Sequence, residues 1–118
     1  MVWNVRFHDE FDMEFAVFSR AVRVELLAHV KMLEQQGPIL GRPWVDALAG
    51  SRFANMKELR FEADNGVWRV AFAFDPARSA ILLVAGNKSG TGQRRFYRSL
   101  ISKADSRFDA HLKRLKEA

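Results

Sequence analysis

A chain of 118 residues, 48% of them hydrophobic, has the material for one core, and a single domain over 1–118 is expected. It holds no cysteine, which excludes disulfides, zinc–thiolate centres and cysteine nucleophiles. Nineteen lysines and arginines against 14 acidic residues give a formal charge of +5, a balance that favours encounter with a polyanion or an acidic protein.

The N-terminus carries Trp3, Arg6, His8, Asp9 and Glu10 instead of a basic cap and an apolar run. No apolar stretch reaches the length of a membrane span, so a soluble cytoplasmic protein is expected, without a membrane partner. From Val2 to His8, Trp3, Val5 and Phe7 alternate with Asn4, Arg6 and His8, a first strand with one buried face. Asp9 reads as the N-cap of a helix. Beyond it Phe11, Phe15, Phe18, Val22, Leu26, Val30 and Leu33 recur at helical spacing, as one helix or as two broken near Ser19. Gly37-Pro38 ends the stripe. The stretch from Gly37 to Ser51 holds three of the seven glycines and two of the three prolines, and reads as an ordered loop with Trp44, Val45 and Leu48 turned to the core.

The next stretch organises the chain. Leu59 and Phe61 alternate with Glu58, Arg60 and Glu62, and Trp68, Val70 and Phe72 alternate with Arg69, Ala71 and Ala73, which predicts a β-hairpin. The turn is either Asn65-Gly66 or the four residues from Ala63 to Gly66. Either choice places Arg60 and Arg69 on one face with Glu58, and Lys57 on the other. Two permanently charged guanidiniums on neighbouring strands offer a seat for an anion; the alternative is cross-strand neutralisation by Glu58 and Glu62.

Asp75-Pro76 opens a second turn, and Ala80 to Ala85 is apolar on both faces, as in an interior strand. A polar, glycine-rich exit from Gly86 to Gly92 follows; its Lys88-Ser89 lacks the upstream glycine of a phosphate loop. From Gln93, Phe96, Leu100, Ala104, Phe108, Leu112 and Leu115 share one face of a long helix, with Arg94, Arg95 and Arg98 off it. The expected architecture is α+β: a small antiparallel-rich sheet with an N-terminal helix or helical pair and a C-terminal helix, the helices covering one face and leaving the arginine face partly open. His8, His29 and His111 lack ligand spacing, so no metal site is expected.

Four pieces of the chain carry a family resemblance: Gly37-Pro-Ile-Leu-Gly-Arg-Pro-Trp-Val-Asp, Met56-Lys-Glu-Leu-Arg-Phe, Trp68-Arg-Val-Ala-Phe-Ala-Phe-Asp, and the apolar strand ending Gly86-Asn87-Lys88. Together they resemble the phage-derived, HigB-like branch of the RelE/ParE toxin superfamily, over roughly Trp3 to Ile101. The resemblance implies a RelE-like fold and a type II toxin that cleaves messenger RNA in the ribosomal A site. The RNA's own 2′-hydroxyl attacks, so no cofactor or metal is implied. It also implies a cognate antitoxin, of helix-turn-helix type, and the ribosome with its mRNA as partners.

The matching positions are Arg69, Lys88 and Arg60 as catalytic candidates. Lys57, Arg94, Arg95, Tyr97 and Arg98 are candidates for RNA binding. Many relatives have two lysines where this chain has Asn87-Lys88-Ser89, and no histidine stands near Lys57 or the last strand to supply acid–base chemistry. Two alternatives stay open on sequence: a non-catalytic toxin that inhibits DNA gyrase, and an inactive phage-derived module that binds nucleic acid or an antitoxin.

Overall fold

The structure is a computed structural model that describes residues 2–117. Strand β1 (Asn4–Phe7) is followed by helices α1 (Asp9–Ala16) and α2 (Arg20–Gln36), then by a short 3₁₀ turn, Gly37–Ile39. Strands β2 (Val45–Ala47), β3 (Lys57–Ala63), β4 (Gly66–Phe74) and β5 (Ser79–Asn87) come next, and helix α3 (Gln93–Glu117) closes the chain. The five strands form one sheet in the order β1-β5-β4-β3-β2, antiparallel except for the parallel β1–β5 pair.

The N-terminal stripe divides in two at Ser19, whose hydroxyl caps α2 by accepting from Val22 N. His8, not Asp9, caps α1: its Nδ1 accepts from Glu10 N at 3.2 Å. The stripe residues Phe11, Val22, Leu26, Val30 and Leu33 bury against Leu59, Phe61, Val70, Phe72 and Leu82 on one face of the sheet.

The helices do not share that face. Phe96, Leu100, Ala104 and Phe108 of α3 pack on Ala71, Ala73, Ile81, Leu83 and Val84, so the protein has three layers and the second face is half covered. The physical reason lies in β5, which carries apolar residues on both sides and needs cover on both. A bulge sharpens the fit. Ala71 and Phe72 pair with Val84 and Leu82, so Leu83 is an extra residue, and both Leu83 and Val84 join the α3 core.

β1 stops at Phe7, opposite Leu82, which leaves the β5 edge open beyond that point. Arg107 of α3 fills the gap: Nη1 donates to Leu83 O at 2.7 Å and to Glu14 Oε1 at 2.9 Å. Nη2 donates to Glu14 Oε2 at 2.6 Å, and Nε lies 3.2 Å from Glu10 Oε2. This buried fork clasps α1 to α3 around the sheet edge.

The loop read from Gly37 to Ser51 hides β2, three residues that pair with Leu59 to Lys57. The hairpin turn is Asp64-Asn65, both at positive φ (53° and 60°), with Ala63 and Gly66 as the closing pair. Gly66 serves a different need: a Cβ there would lie 2.6 Å from Asn87 Nδ2 and 2.9 Å from Trp68 Nε1.

Candidate active site

The register sets Arg60 directly opposite Arg69, on the face that α3 half covers. Two guanidiniums in such a pair repel unless an anion lies between them. Glu58 supplies it. Its side chain is 4% exposed; Oε2 accepts from Arg60 Nε at 3.1 Å and Nη2 at 2.9 Å. Oε1 accepts from the Tyr97 hydroxyl at 2.8 Å and lies 3.8 Å from Arg69 Nε. Asp46 of β2 adds a second carboxylate, 3.7 Å from Arg60 Nη2. Burial disfavours the Arg60 charge, but the Glu58 hydrogen bonds and the two carboxylates outweigh it and hold the guanidinium above its ordinary value.

Arg69 is held differently. Nη1 donates to Trp68 O at 3.0 Å and Nε to the Tyr97 hydroxyl at 3.3 Å, while Nη2 has no protein hydrogen bond among the described residues. Burial first, then the bond to Glu58, raises the Tyr97 hydroxyl above its usual 10.0, against the opposing pull of Arg69. Tyr97 therefore keeps its proton at neutral pH and bridges the two groups. It reaches them because Gly86, paired with Arg69, has no side chain: a Cβ at Gly86 would lie 2.8 Å from the Phe96 ring. The first turn of α3 settles into that space.

Lys88 is placed by backbone. Its N–H donates to Val67 O at 2.8 Å, and Val67 N donates to Asn87 Oδ1 at 3.1 Å and Ser89 Oγ at 3.2 Å. The ammonium sits 5.8 Å from the Tyr97 ring centroid. Among the described residues no carboxylate is within ion-pair distance of Lys88, Arg94 or Arg98.

These groups surround one groove of about 910 Å³, with Ala47, Leu48 and Ile101 as its apolar floor. Arg60, Arg69, Lys88, Arg94, Tyr97 and Arg98 all line it. Two candidates from sequence do not. Lys57 lies on the opposite face and donates to Pro38 O at 3.1 Å. Arg95 lines a separate hollow with Phe96 and Lys103. Sequence reasoning recognised Glu58 as a neighbour but not as the shared anchor, because the Tyr97 contact crosses from another layer. Asp46 was hidden in the stretch read as loop. No group of three or more His, Asp or Glu able to hold a metal ion occurs among the described residues.

A small sheet with a basic groove beside the first turn of a packed helix defines a RelE-like fold. The likeness extends to the E. coli toxin RelE, solved as a mutant in the free state: TM-score 0.62, 12% identity, over 87% of this chain and 97% of that one. Residues 13–109 match the family described as phage-derived protein Gp49-like, and the chain belongs to that family.

Two Mycobacterium tuberculosis (strain ATCC 25618 / H37Rv) proteins, named as the candidate toxins HigB2 and HigB3, are similar in sequence. HigB2 is 48% identical over 88 residues, 74% of this chain and 43% of the relative, so the match spans less than half of that protein's length. HigB3 is 45% identical over 93 residues, 79% of each chain.

Proposed function

We propose that the protein is the toxin of a type II toxin–antitoxin pair and an endoribonuclease that cuts messenger RNA on the ribosome by 2′-hydroxyl attack. The observation that carries the reading is the convergence of Lys88, Arg94 and Arg98, none paired with a carboxylate among the described residues, on a groove that also holds Arg69. Three such cations, in excess over the carboxylate Glu58 in the groove, recruit a polyanion, and the affinity falls with salt. Relatives named as toxins support the same class.

Cleavage builds charge on the phosphorane oxygens, and preorganised donors there supply much of the acceleration. Arg69 is well placed to be such a donor, because two of its nitrogens are pinned and Nη2 needs little reordering to meet a phosphate oxygen. Lys88, fixed through its backbone, adds a second charge at the reacting phosphate. Arg94 and Arg98, exposed on the first turns of α3, hold flanking phosphates. Arg60 gives its Nε and Nη2 to Glu58, so its part at the phosphate is to shape the groove. A cognate antitoxin is the implied partner; the helix-turn-helix type expected for it belongs to the same proposal.

The test is induced expression with mapping of messenger RNA 5′ ends for the wild type, Arg69→Ala and Lys88→Ala. Cuts within translated codons are expected, falling by on the order of 10²-fold or more in Arg69→Ala. Growth arrest with intact transcripts refutes the proposal and favours a non-catalytic inhibitor.

A further inference from the structure

A second cavity, of about 390 Å³, adjoins the groove, and Arg60 and Arg69 line both. Trp44, His29, Glu25 and Glu62 are among its other walls. It opens where β2 ends. The β2 pairing stops at Leu59, and the last bond across is Arg60 N to Trp44 O at 2.8 Å. In antiparallel alternation the next outward-pointing groups on β3 are Arg60 C=O and the Glu62 peptide, which no strand covers.

The chemistry of these walls is specific. Trp44 is 42% exposed, a large indole left at the surface while the other aromatic residues among those described are buried or half-buried. His29 is buried and packs on Phe61, with ring centroids 5.3 Å apart and the planes tilted by 33°. Its Nδ1 lies 2.8 Å from Glu25 O, which only accepts, so Nδ1 is a donor and Nε2 is the ring nitrogen with acceptor capacity. Two carboxylates, an imidazole acceptor and a free carbonyl make a surface rich in acceptors, and Arg60 is the donor beside it.

We propose that this cavity is a nucleobase subsite that takes guanine from the RNA strand whose phosphate lies on Arg69 and Lys88; the proposal rests on the nuclease reading above. An exposed indole is a stacking face for an unstacked base. Guanine alone among the four bases presents two adjacent donors, N1–H and the N2 amino group, to a carboxylate such as Glu62, while its O6 and N7 accept from an arginine. Adenine and cytosine offer a single amino group, and uracil a single imino donor. Phosphate and base would share Arg60 and Arg69 as their common wall, so one nucleotide spans the two cavities.

The experiment has two arms. In the first, cut sites of the wild type, Trp44→Leu, Trp44→Phe and Glu62→Gln are mapped on cellular transcripts. In the second, 2′-O-methyl trinucleotides UGU, UAU, UCU and UUU are titrated against the same proteins by NMR, following the Trp44 indole N–H in the wild type and Glu62→Gln and the backbone amides of β3 in the two Trp44 variants. Guanine is expected next to the cut, with UGU bound ~10-fold tighter than the others. Glu62→Gln and Trp44→Leu flatten both preferences, and Trp44→Phe restores stacking.

Cleavage with no guanine bias, or a bias that Trp44→Leu and Glu62→Gln leave intact, overturns the subsite and spares the nuclease reading. Preferential UGU binding at Trp44 without any cleavage keeps the subsite and removes the nuclease reading. Equal or absent binding of all four trinucleotides overturns the subsite.

Discussion

Glu58→Gln is the most informative single change, because it keeps the shape of the anchor and removes its charge. In the wild type Glu58 accepts two bonds from Arg60 and one from Tyr97. A bond to a charged group is worth roughly 1.5–3 kcal/mol and a neutral one roughly 0.5–1.5, so losing the carboxylate's charge costs about 1 kcal/mol per arginine bond. Arg60 is 35% exposed, and water recovers part of that loss, which makes about 2 kcal/mol the ceiling for the pair. For 118 residues the unfolding entropy is roughly 250 cal/mol/K, so the melting temperature drops by up to about 8 °C.

A second readout is local. Tyr97 is the only tyrosine, so the tyrosinate absorbance band titrates one group. Its folded value lies above 10.0, through burial first and Glu58 second. That raised value contributes stability that is complete below the unfolded value and is lost as pH rises through the folded one. Glu58→Gln brings the Tyr97 titration down, because it removes the hydrogen bond and the charge that hold the proton on. An unchanged melting temperature together with an unchanged Tyr97 titration refutes the anchor.

Arg107→Met removes the clasp and leaves Leu83 O without its donor, at a cost of about 3 kcal/mol because Glu14 regains water; thermal melts check it. Glu14 is held below 4.5, mainly by its hydrogen bond to Arg107, so the wild-type gain is present above 4.5 and lost as pH falls through the folded value. The gap between variant and wild type therefore narrows in acid. His8 titrates below 6.5, because of burial first and the Arg107 charge second, so its share of stability is complete above 6.5 and lost as pH falls. His8→Asn keeps a cap and flattens that part of the melting profile as pH falls below 6.5. Gly66→Ala drives a Cβ into Asn87 and Trp68 and costs about 1–3 kcal/mol, visible as a lower denaturant midpoint with the same slope.

Strict alternation on both sides of the turn made the shared face of Arg60 and Arg69 legible before any fold was known, since parity survives either choice of turn; that they stand directly opposite each other depends on the turn. Of the two turns left open, the four residues from Ala63 to Gly66 give the observed register; Asn65-Gly66 lies one residue late, because glycine after asparagine suggests positive φ, whereas Gly66 is required for room beside Asn87. β2 escaped notice because Val45-Asp46-Ala47 is too short to show a period. The second layer was legible in principle: an α3 stripe and a β5 apolar on both sides fit together only if the helix crosses to the far face. The tie from Tyr97 to Glu58 left no trace in the sequence, since it joins residues 39 positions apart through their hydroxyl and carboxylate alone.

The backbone clamp between Val67 and the residues after β5 has a bearing on how such a site diversifies. Arg69 stands two residues after Val67, and Lys88 is bonded to Val67 itself. The separation of the two cations is therefore dictated by peptide geometry along a few residues of β4, with little input from the helices. Drift in the aromatic core beneath α1 and α2 alters melting behaviour while the spacing of the charges persists. An inserted or deleted residue between Val67 and Arg69 breaks that spacing, since it turns either the Val67 clamp or Arg69 to the other face of the sheet.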